Sequence, residues 1–347
     1  VYGERCKTWK HQDGWGRIMA SELKIGGISI KKGERKRIQL AVSNLYDGTD
    51  LSIPVEVIRG KEEGPILFIS AAIHGDEING TEIVCRILRD RSLKKLKGTF
   101  IAVPVVNVFG FNMLSRYLPD RRDLNRSFPG SKNGSLASRL ANIFMKEIVQ
   151  KSTHGIDLHT GAIHRTNLPQ IRACMNNAET KQLAFEFGVP VIINSDIRDG
   201  SLREAARRKK IPMLLFEGGE ALRFDEKVIQ IGVHGCLAVM QSIGMLPRKK
   251  HATRREVFVS WSSQWVRSPA SGLIRILKEA GAHVKEGELL AVVMDQFGKP
   301  RGEVLAPFEG IIIGQLKLPL VNGGDALFHI ASFHNTRKVQ KSITRIE

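Results

Sequence analysis

The chain has 347 residues, which is enough for two domains or for one large domain with a smaller one appended. Its hydrophobic fraction of 42% and its charged fraction of 25% are typical of an ordinary globular protein with a sizeable core. No apolar run approaches the roughly 18–20 residues that span a bilayer, so the sequence excludes a membrane-spanning helix and we expect no membrane partner.

The net charge is strongly positive, at +18. A charge of this size can indicate a nucleic-acid-binding surface. Here the basic residues are dispersed along the chain and are not interleaved with aromatic side chains, which make up only 6% of the composition. We therefore interpret the charge as a solvated basic face that would also favour a small anionic substrate. A remote alternative is a basic protein that binds nucleic acid and in which any active site is vestigial.

The cysteines lie far apart and form no CxxC pair. They are Cys6, Cys85, Cys174 and Cys236. Such spacing favours reduced thiols over a disulfide framework or a thiolate zinc site. The first residues show no signal-peptide hydrophobic region. These features predict a cytoplasmic protein, and they leave homo-oligomer formation open.

Strand patterns alternate with helical patterns from residue 19 to residue 247. Period-two alternation or short apolar runs predict strands at 35–46, 51–60, 66–73, 98–107, 154–161, 189–194 and 211–219. Apolar spacing of three and four residues predicts helices at 77–93, 135–150, 174–188, 201–210 and 224–244. This order indicates an α/β fold with a mixed, mostly parallel sheet flanked by helices.

The residue pattern changes near Pro247, where a basic stretch begins and helical periodicity ends. We therefore divide the chain into an N-terminal extension, a large α/β domain, a basic linker, a small β domain and a C-terminal tail. In that order they span residues 1–18, 19–247, 248–256, 257–335 and 336–347.

The small β domain contains an internal repeat. The stretch "SPASGLI" at 268–274 matches "APFEGII" at 306–312, which predicts a barrel of two interlocking halves. The pattern resembles the lipoyl/biotinyl barrel-sandwich domains, which carry a modified lysine at a hairpin tip. Here Gln296 lies near the tip and Lys299 is out of pattern. We therefore expect a barrel without a swinging cofactor.

A possible metal site begins where a predicted buried strand ends on His74. Glu77 follows three residues later, and His159 ends another short strand, so the carboxyl ends of strands supply all three. Two histidines and a glutamate with one open position form a known catalytic zinc set. Two alternatives remain. His164 lies close enough to rival His159, and Asp76 competes with Glu77 unless it caps the following helix.

Four motifs carry a family resemblance. They are "HGDEINGTE" at 74–82, "RYLPDRRDLNRSFPG" at 116–130, "IDLHTG" at 156–161 and "LLFEGGE" at 214–220. Together they resemble the succinylglutamate desuccinylase/aspartoacylase family, which has a zinc carboxypeptidase-like fold. The resemblance covers about residues 20–247, and the appended barrel fits a two-domain subgroup of that family.

The resemblance implies the roles of the metal-binding and catalytic residues. His74, Glu77 and His159 match the ligands of one zinc ion per chain. Glu217 follows a buried strand and matches the general base that takes a proton from water, with Glu220 as the alternative.

The resemblance also implies the groups that bind the substrate. Asn125 and Arg126 match the pair that holds a substrate carboxylate, which suits a planar guanidinium. Asp123 matches a carboxylate that hydrogen-bonds a ligating histidine. Arg116 matches the arginine that stabilises the oxyanion. Extra residues in this segment make Arg121 and Arg122 competitors for that role.

These roles predict a zinc-dependent deacylase that cleaves the amide bond of an N-acyl amino acid or a similar small carboxylate. The main alternative is a metallocarboxypeptidase, since the same fold and ligands cleave peptide C-termini. An open cleft would favour the peptidase, and a second domain that narrows the mouth would favour the deacylase. No tyrosine follows Tyr117, so a late substrate-contacting tyrosine is absent. Arg198 and Arg203 are further candidates for anion contacts.

Overall fold

The computed structural model describes residues 22–195, 199–248 and 256–344. The predicted N-terminal extension, most of the basic linker, the last three residues of the tail and the candidate Arg198 lie outside the described residues. Among the helices of these three ranges, none is both long enough and apolar enough to cross a membrane.

The described ranges contain nineteen strands and seven α-helices. The strands are β1 (Leu23–Ile25), β2 (Ile28–Ile30), β3 (Arg35–Asn44), β4 (Asp50–Arg59), β5 (Glu62–Ala71), β6 (Lys97–Val103), β7 (His154–Gly161), β8 (Arg165–Ala173), β9 (Val191–Asn194), β10 (Met213–Glu220), β11 (Phe258–Ser260), β12 (Ser262–Arg267), β13 (Gly272–Ile276), β14 (His283–Val284), β15 (Leu289–Met294), β16 (Pro300–Leu305), β17 (Gly310–Leu316), β18 (Leu320–Val321) and β19 (Ala326–Ser332). The helices are α1 (Asn79–Leu88), α2 (Val108–Asn112), α3 (Leu136–Glu147), α4 (Ala178–Phe187), α5 (Leu202–Arg208), α6 (Glu226–Ser242) and α7 (Thr336–Thr344).

The main sheet is mixed, and its centre is parallel. The order β6-β5-β7-β10 runs through parallel pairs, and antiparallel strands flank it on both sides. One face packs against α3 and α5, and the other packs against α1, α4 and α6. Parallel strands that are covered on both faces have continuous apolar sequences, because both sets of side chains are buried. The central strands could therefore be predicted from the sequence. The predicted α/β fold with helices around a sheet is confirmed.

One strand in the α/β part of the main sheet, β8, was not predicted. β8 lies antiparallel to β10 on one side. On its other side it pairs with β17 through residues 165–167 and with β9 through residues 170–173. Pro169 falls in the gap between these two pairings, so its missing N–H costs no ladder bond. Because a proline lies in the middle of this segment, its sequence pattern did not predict a strand.

Two boundaries also differ from the prediction. β5 begins at Glu62, within a segment that reads as a turn. The first helix ends at Leu88, whereas the sequence predicted residues 77–93. A 3₁₀ turn follows it, because the Asp90 side chain accepts a hydrogen bond from the backbone N–H of Ser92 and starts a new local structure.

The C-terminal region joins the main sheet directly. β12, β14, β17 and β19 extend that sheet through the antiparallel pairing of β17 with β8. β13, β15, β16 and β18 form a separate four-stranded sheet. The two sheets share a core that includes Val293, Ile312 and Phe328. β11 pairs in parallel with β9, and α7 packs Val339 and Ile343 on the main sheet.

Candidate metal centre and active site

Three buried side chains meet at the carboxyl edge of the central strands. His74 follows β5, His159 lies near the end of β7, and Glu77 lies in the turn that leads to α1. The Glu77 carboxylate bridges the two rings: Oε1 is 2.7 Å from His74 Nδ1, and Oε2 is 2.7 Å from His159 Nδ1. The backbone N–H of Thr160 also donates to Glu77 Oε2, at 3.2 Å. The structure thus brings the three predicted ligands together.

A second pair of carboxylates holds the outer nitrogens of both rings. Asp123 Oδ1 lies 3.2 Å from His74 Nε2, and Asp157 Oδ2 lies 2.7 Å from His159 Nε2. The contact of Asp123 with His74 was expected from the sequence, whereas that of Asp157 was missed. Since alternate residues of a strand share a face, the "D-L-H" spacing was a signal that could have revealed Asp157.

Opposite charges dominate the electrostatics of this cluster. Burial alone would raise the pKa of Glu77, but His74 and His159 outweigh it and lower that pKa. Burial would lower the pKa of both rings. For His74, Glu77 and Asp123 raise it, and for His159, Asp157 and Glu77 raise it well above its ordinary value. Without a metal, these charges favour the protonated form of both imidazoles.

The donor set fits a metal ion. The ligand atoms of His74, Glu77 and His159 all lie within 4.8 Å of one another. Asp123 and Asp157 accept the Nε2 protons, which leaves the Nδ1 lone pairs for an ion that displaces the inner protons. Two imidazoles and one carboxylate suit zinc with a coordination position left open.

Arg116 is the arginine that the structure places at the cluster. Its Nη1 donates to Glu77 Oε1 at 3.2 Å, and its Nη2 donates to Asp123 Oδ2 at 3.1 Å. The two competitors lie elsewhere: Arg121 is exposed, and the side chain of Arg122 is 63% exposed beside Asp120. Among the three candidates, the geometry favours Arg116.

The predicted carboxylate-binding pair lies in the turn after Asp123. Asn125 is buried, and its Oδ1 accepts the backbone N–H of Leu202 at 2.9 Å. That bond uses the amide oxygen, so the amino group of Asn125 is the part that can donate. Arg126 is exposed at the same turn, and its Nη1 donates to the carbonyl oxygen of Asn125 at 2.5 Å.

Glu217 is the neighbour of His159 across the sheet. The two residues pair in register between β10 and β7, so their side chains share a face. Asn167 Nδ2 donates to Glu217 Oε2 at 2.7 Å, and Arg172 Nε lies 3.5 Å from Oε1. The alternative Glu220 is the last residue of β10, where its Oε1 accepts the backbone N–H of His164.

A bulge follows Glu217 in β10. The register shifts after Glu217 against both neighbouring strands, and Gly219 has φ of +73°. Only glycine adopts that φ without strain. The side chain of Asn79 ties the bulge down, because its Nδ2 donates to Gly218 O at 3.3 Å and its Oδ1 accepts the N–H of Asp225 at 3.0 Å. Asn79 was not predicted as part of the site.

The structure does not favour two alternatives that the sequence left open. His164 is exposed with φ of +61° and does not belong to the metal-binding group found among the described residues. Asp76 does not cap α1, whose N-cap is Ile78 and has no side-chain cap bond. Asp76 is instead buried, and its Oδ1 has no hydrogen-bond partner. Burial and the nearby Glu77 raise the pKa of its carboxyl group.

Comparison with known proteins gives consistent results. A family model described as the succinylglutamate desuccinylase/aspartoacylase catalytic domain matches residues 63–243. A curated relative, the N-alpha-acetyl-L-2,4-diaminobutyric acid deacetylase of Halomonas elongata, is 27% identical over 293 residues, which cover 80% of this chain and 85% of the relative.

Solved structures share the fold. The product-bound ectoine utilization protein EutE (DoeB) from Ruegeria pomeroyi is 24% identical with a TM-score of 0.80, and the match covers 87% of this chain and 96% of that one. A succinylglutamate desuccinylase/aspartoacylase from Rhodobacter sphaeroides is 23% identical with a TM-score of 0.77, and the match covers 88% of this chain and 97% of that one.

The family match extends over more than half of the sequence, and it lies on the residues that form the site. The predicted enzyme class, a hydrolase of carbon–nitrogen bonds other than peptide bonds in linear amides, is confirmed. The chain belongs to the succinylglutamate desuccinylase/aspartoacylase family.

Proposed function

We propose that this enzyme is a zinc-dependent deacylase that hydrolyses the amide bond of a small N-acyl amino acid. The observation that carries the proposal is the grouping of His74, Glu77 and His159, whose ligand atoms lie within 4.8 Å of one another, with Glu217 in register beside His159. One zinc ion per chain would be held by the two imidazoles and the carboxylate. When bound, zinc polarises a carbonyl oxygen and makes water more acidic.

Glu217 is the proposed general base. Its carboxylate has 15% of its side-chain surface exposed, so it can reach water while the strand holds it rigidly. It takes a proton from the attacking water and passes that proton to the leaving amine as the carbon–nitrogen bond breaks. This transfer balances the charge, because the amine leaves neutral and the carboxylate returns to its starting state.

Arg116 and the Asn125–Arg126 pair are the proposed substrate contacts. Burial would lower the pKa of Arg116, but the carboxylates of Glu77 and Asp123 raise it. Arg116 therefore carries a fixed positive charge that can stabilise the oxyanion developing on the amide carbonyl. The amino group of Asn125 and the guanidinium of Arg126 would bind the substrate carboxylate. The positive charge of the whole chain favours such an anion.

The acyl group of the substrate is proposed to be small. The curated relative is a deacetylase of an N-acetyl amino acid. In addition, the C-terminal region borders the site, because β17 pairs with β8 at Asn167, whose Nδ2 donates to Glu217 Oε2. A border of this kind favours a small molecule over a peptide, which the metallocarboxypeptidase alternative would require.

We also propose that residues 257–335 form a β-barrel domain of the lipoyl/biotinyl type without a modified lysine, appended to a catalytic domain of residues 19–247. The separate four-stranded sheet, and the core that it shares with β17 and β19, support this proposal. At the hairpin between β15 and β16, Asp295 pairs with Lys299 through the backbone, so Lys299 closes the turn and Gln296 lies at its tip.

The proposal is tested by metal analysis together with a hydrolysis screen over N-acetyl amino acids, N-succinyl amino acids and short peptides. We expect about one zinc per chain, hydrolysis of an N-acyl amino acid, and loss of activity on chelation. Glu217→Gln should keep the metal and lower kcat by about 10²- to 10⁴-fold. Glu220→Gln is the matched control and should stay active. Metal-independent activity, or cleavage of peptides alone, would overturn the proposal.

A further inference from the structure

We propose that Asn167 is a positioning residue for Glu217, and that strand β17 of the C-terminal region holds Asn167 in place. The inference rests on the proposed role of Glu217 as the general base. It gives the C-terminal region a part in catalysis, although the metal ligands and the base all belong to the other part of the chain.

The contact between Asn167 and Glu217 is direct. Asn167 Nδ2 donates to Glu217 Oε2 at 2.7 Å. Arg172, on the same strand, brings Nε to 3.5 Å from Oε1, and this Nε has no hydrogen-bond partner. Two residues of β8 therefore bracket the two carboxylate oxygens. A general base needs one lone pair aimed at the water, so a donor that fixes the other oxygen sets the direction of proton transfer.

Asn167 lies between the base-bearing strand and the C-terminal region. On one side of β8 it pairs with Gly219, within the bulge that follows Glu217. On the other side it pairs with Gly314 of β17. Asn167 is thus a structural link between the bulge and β17.

Gly314 leaves room for the side chain of Asn167. A Cβ atom at Gly314 would lie 2.8 Å from Asn167 Oδ1, closer than real Cβ contacts, and 3.3 Å from His329 Cβ. β17 shifts register just before this residue, between Ile312 and Gly314. A larger side chain at position 314 would push the Asn167 amide from its place, and Glu217 would lose its donor.

The first test uses Asn167→Asp and Asn167→Ala. Asn167→Asp keeps the size of the side chain but sets a second carboxylate against Glu217, and two adjacent carboxylates resist being ionised together. We expect kcat to fall by about 10- to 100-fold with KM unchanged. The acidic limb of the pH profile of kcat/KM should move to higher pH, further in Asn167→Asp than in Asn167→Ala. Unchanged kcat and an unmoved limb in both variants would overturn the inference.

The second test uses Gly314→Ala, alone and combined with Asn167→Ala. If Gly314 acts through Asn167, Gly314→Ala lowers kcat in the wild-type background and has no further effect in the Asn167→Ala background. Additive effects would show that β17 does not act through Asn167. Gly323→Ala is the matched control, because a Cβ there meets only ordinary contacts at 3.8 Å. It should keep wild-type kcat.

Thermal unfolding and zinc content are measured for every variant, so that loss of fold or metal is recognised. If Asn167→Ala does not fold, the isosteric Asn167→Asp and the single Gly314→Ala variant still decide the question. The two levels of the proposal fail differently. If Glu217→Gln remains active, the proposed base is wrong. If Glu217→Gln is inactive but Asn167→Asp and Gly314→Ala match the wild type, only the inference about Asn167 is wrong.

Discussion

Asp157 and His159 lie two residues apart on β7, and Asp157 Oδ2 is 2.7 Å from His159 Nε2. The other oxygen of Asp157 accepts a hydrogen bond from Ser70 Oγ at 2.8 Å on the neighbouring strand. Asp157 is fully buried, so this carboxylate is fixed from both sides. It keeps one ring proton of His159 on Nε2 and directs Nδ1 toward Glu77.

This relationship predicts the metal affinity of Asp157→Asn. The asparagine has the same shape but offers no anionic acceptor, so the tautomer and basicity of His159 are no longer fixed. We expect zinc affinity to fall by about 10- to 100-fold, as measured by competition with a chelator. Ser70→Ala removes a single bond to Asp157 and should give a smaller loss. Equal affinity in Asp157→Asn and the wild type would contradict the assignment.

The raised pKa of His159 predicts how the stability of the metal-free protein depends on pH. Burial opposes the imidazolium, but Asp157 and Glu77 outweigh burial. A group whose pKa is raised by folding stabilises the folded state. This stabilisation is complete below the pKa of the unfolded chain, about 6.5, and is lost as pH rises through the pKa of the folded state. The melting temperature of chelator-treated protein should therefore fall as pH is raised above about 6.5.

Two comparisons make this pH prediction specific. Asp157→Asn should show a shallower fall, because one of the two groups that raise the pKa of His159 is neutral. Zinc-loaded protein should not show the fall, since the metal replaces the inner proton of the ring. A metal-free melting temperature that rises over the same pH range would contradict the assigned charges.

The placement of Arg116 predicts a strong difference between neighbouring arginines. Arg116→Ala should lower kcat/KM by about 10²- to 10³-fold, because a fixed charge at the oxyanion is removed. Arg116→Lys should recover little, since an ammonium has a single nitrogen and cannot reproduce the planar pair of nitrogens that contact Glu77 and Asp123. Arg122→Ala, at an exposed position, is the control and should keep wild-type kinetics. Zinc content is measured in each variant.

The bulge after Glu217 predicts that Asn79 contributes to both stability and catalysis. Asn79→Ala leaves Gly218 O and the N–H of Asp225 without their buried partner and should lower the free energy of unfolding by about 1–3 kcal/mol. It should also lower kcat, because the bulge directs Glu217. Asn177 serves as the comparison, because it caps α4 by accepting the backbone N–H of Thr180.

Asn177→Ala is the control for this experiment. It should cost about 1 kcal/mol of stability without affecting kcat. Denaturant unfolding and steady-state kinetics measure both quantities. If the two variants affect kcat equally, the bulge has no special role.

The grouping of the three candidate metal ligands was predictable because its signals are local. A buried apolar run that ends on a histidine marks the end of a strand, and the carboxyl ends of parallel strands meet at one edge. His74, Glu77 and His159 could thus be grouped without knowledge of any long-range contact. Asp157 belongs to the same local pattern and was missed only because its spacing from His159 was not considered.

The remainder of the site depends on contacts between distant segments. The resemblance implied Arg116 but left Arg121 and Arg122 as competitors, and the fold brings Arg116 to Glu77. β8 was missed because Pro169 interrupts its pattern, although the proline lies between two pairings where no N–H is needed.

By itself, the sequence determined the alternation of strands and helices, the three candidate metal ligands and the family resemblance, since periodicity and strand-end motifs are local properties of the chain. Only the tertiary structure decided which arginine reaches the cluster, how β17 joins β8, and that Asn167 holds Glu217. These features depend on strand register and on packing between segments far apart in the sequence, which no local pattern specifies.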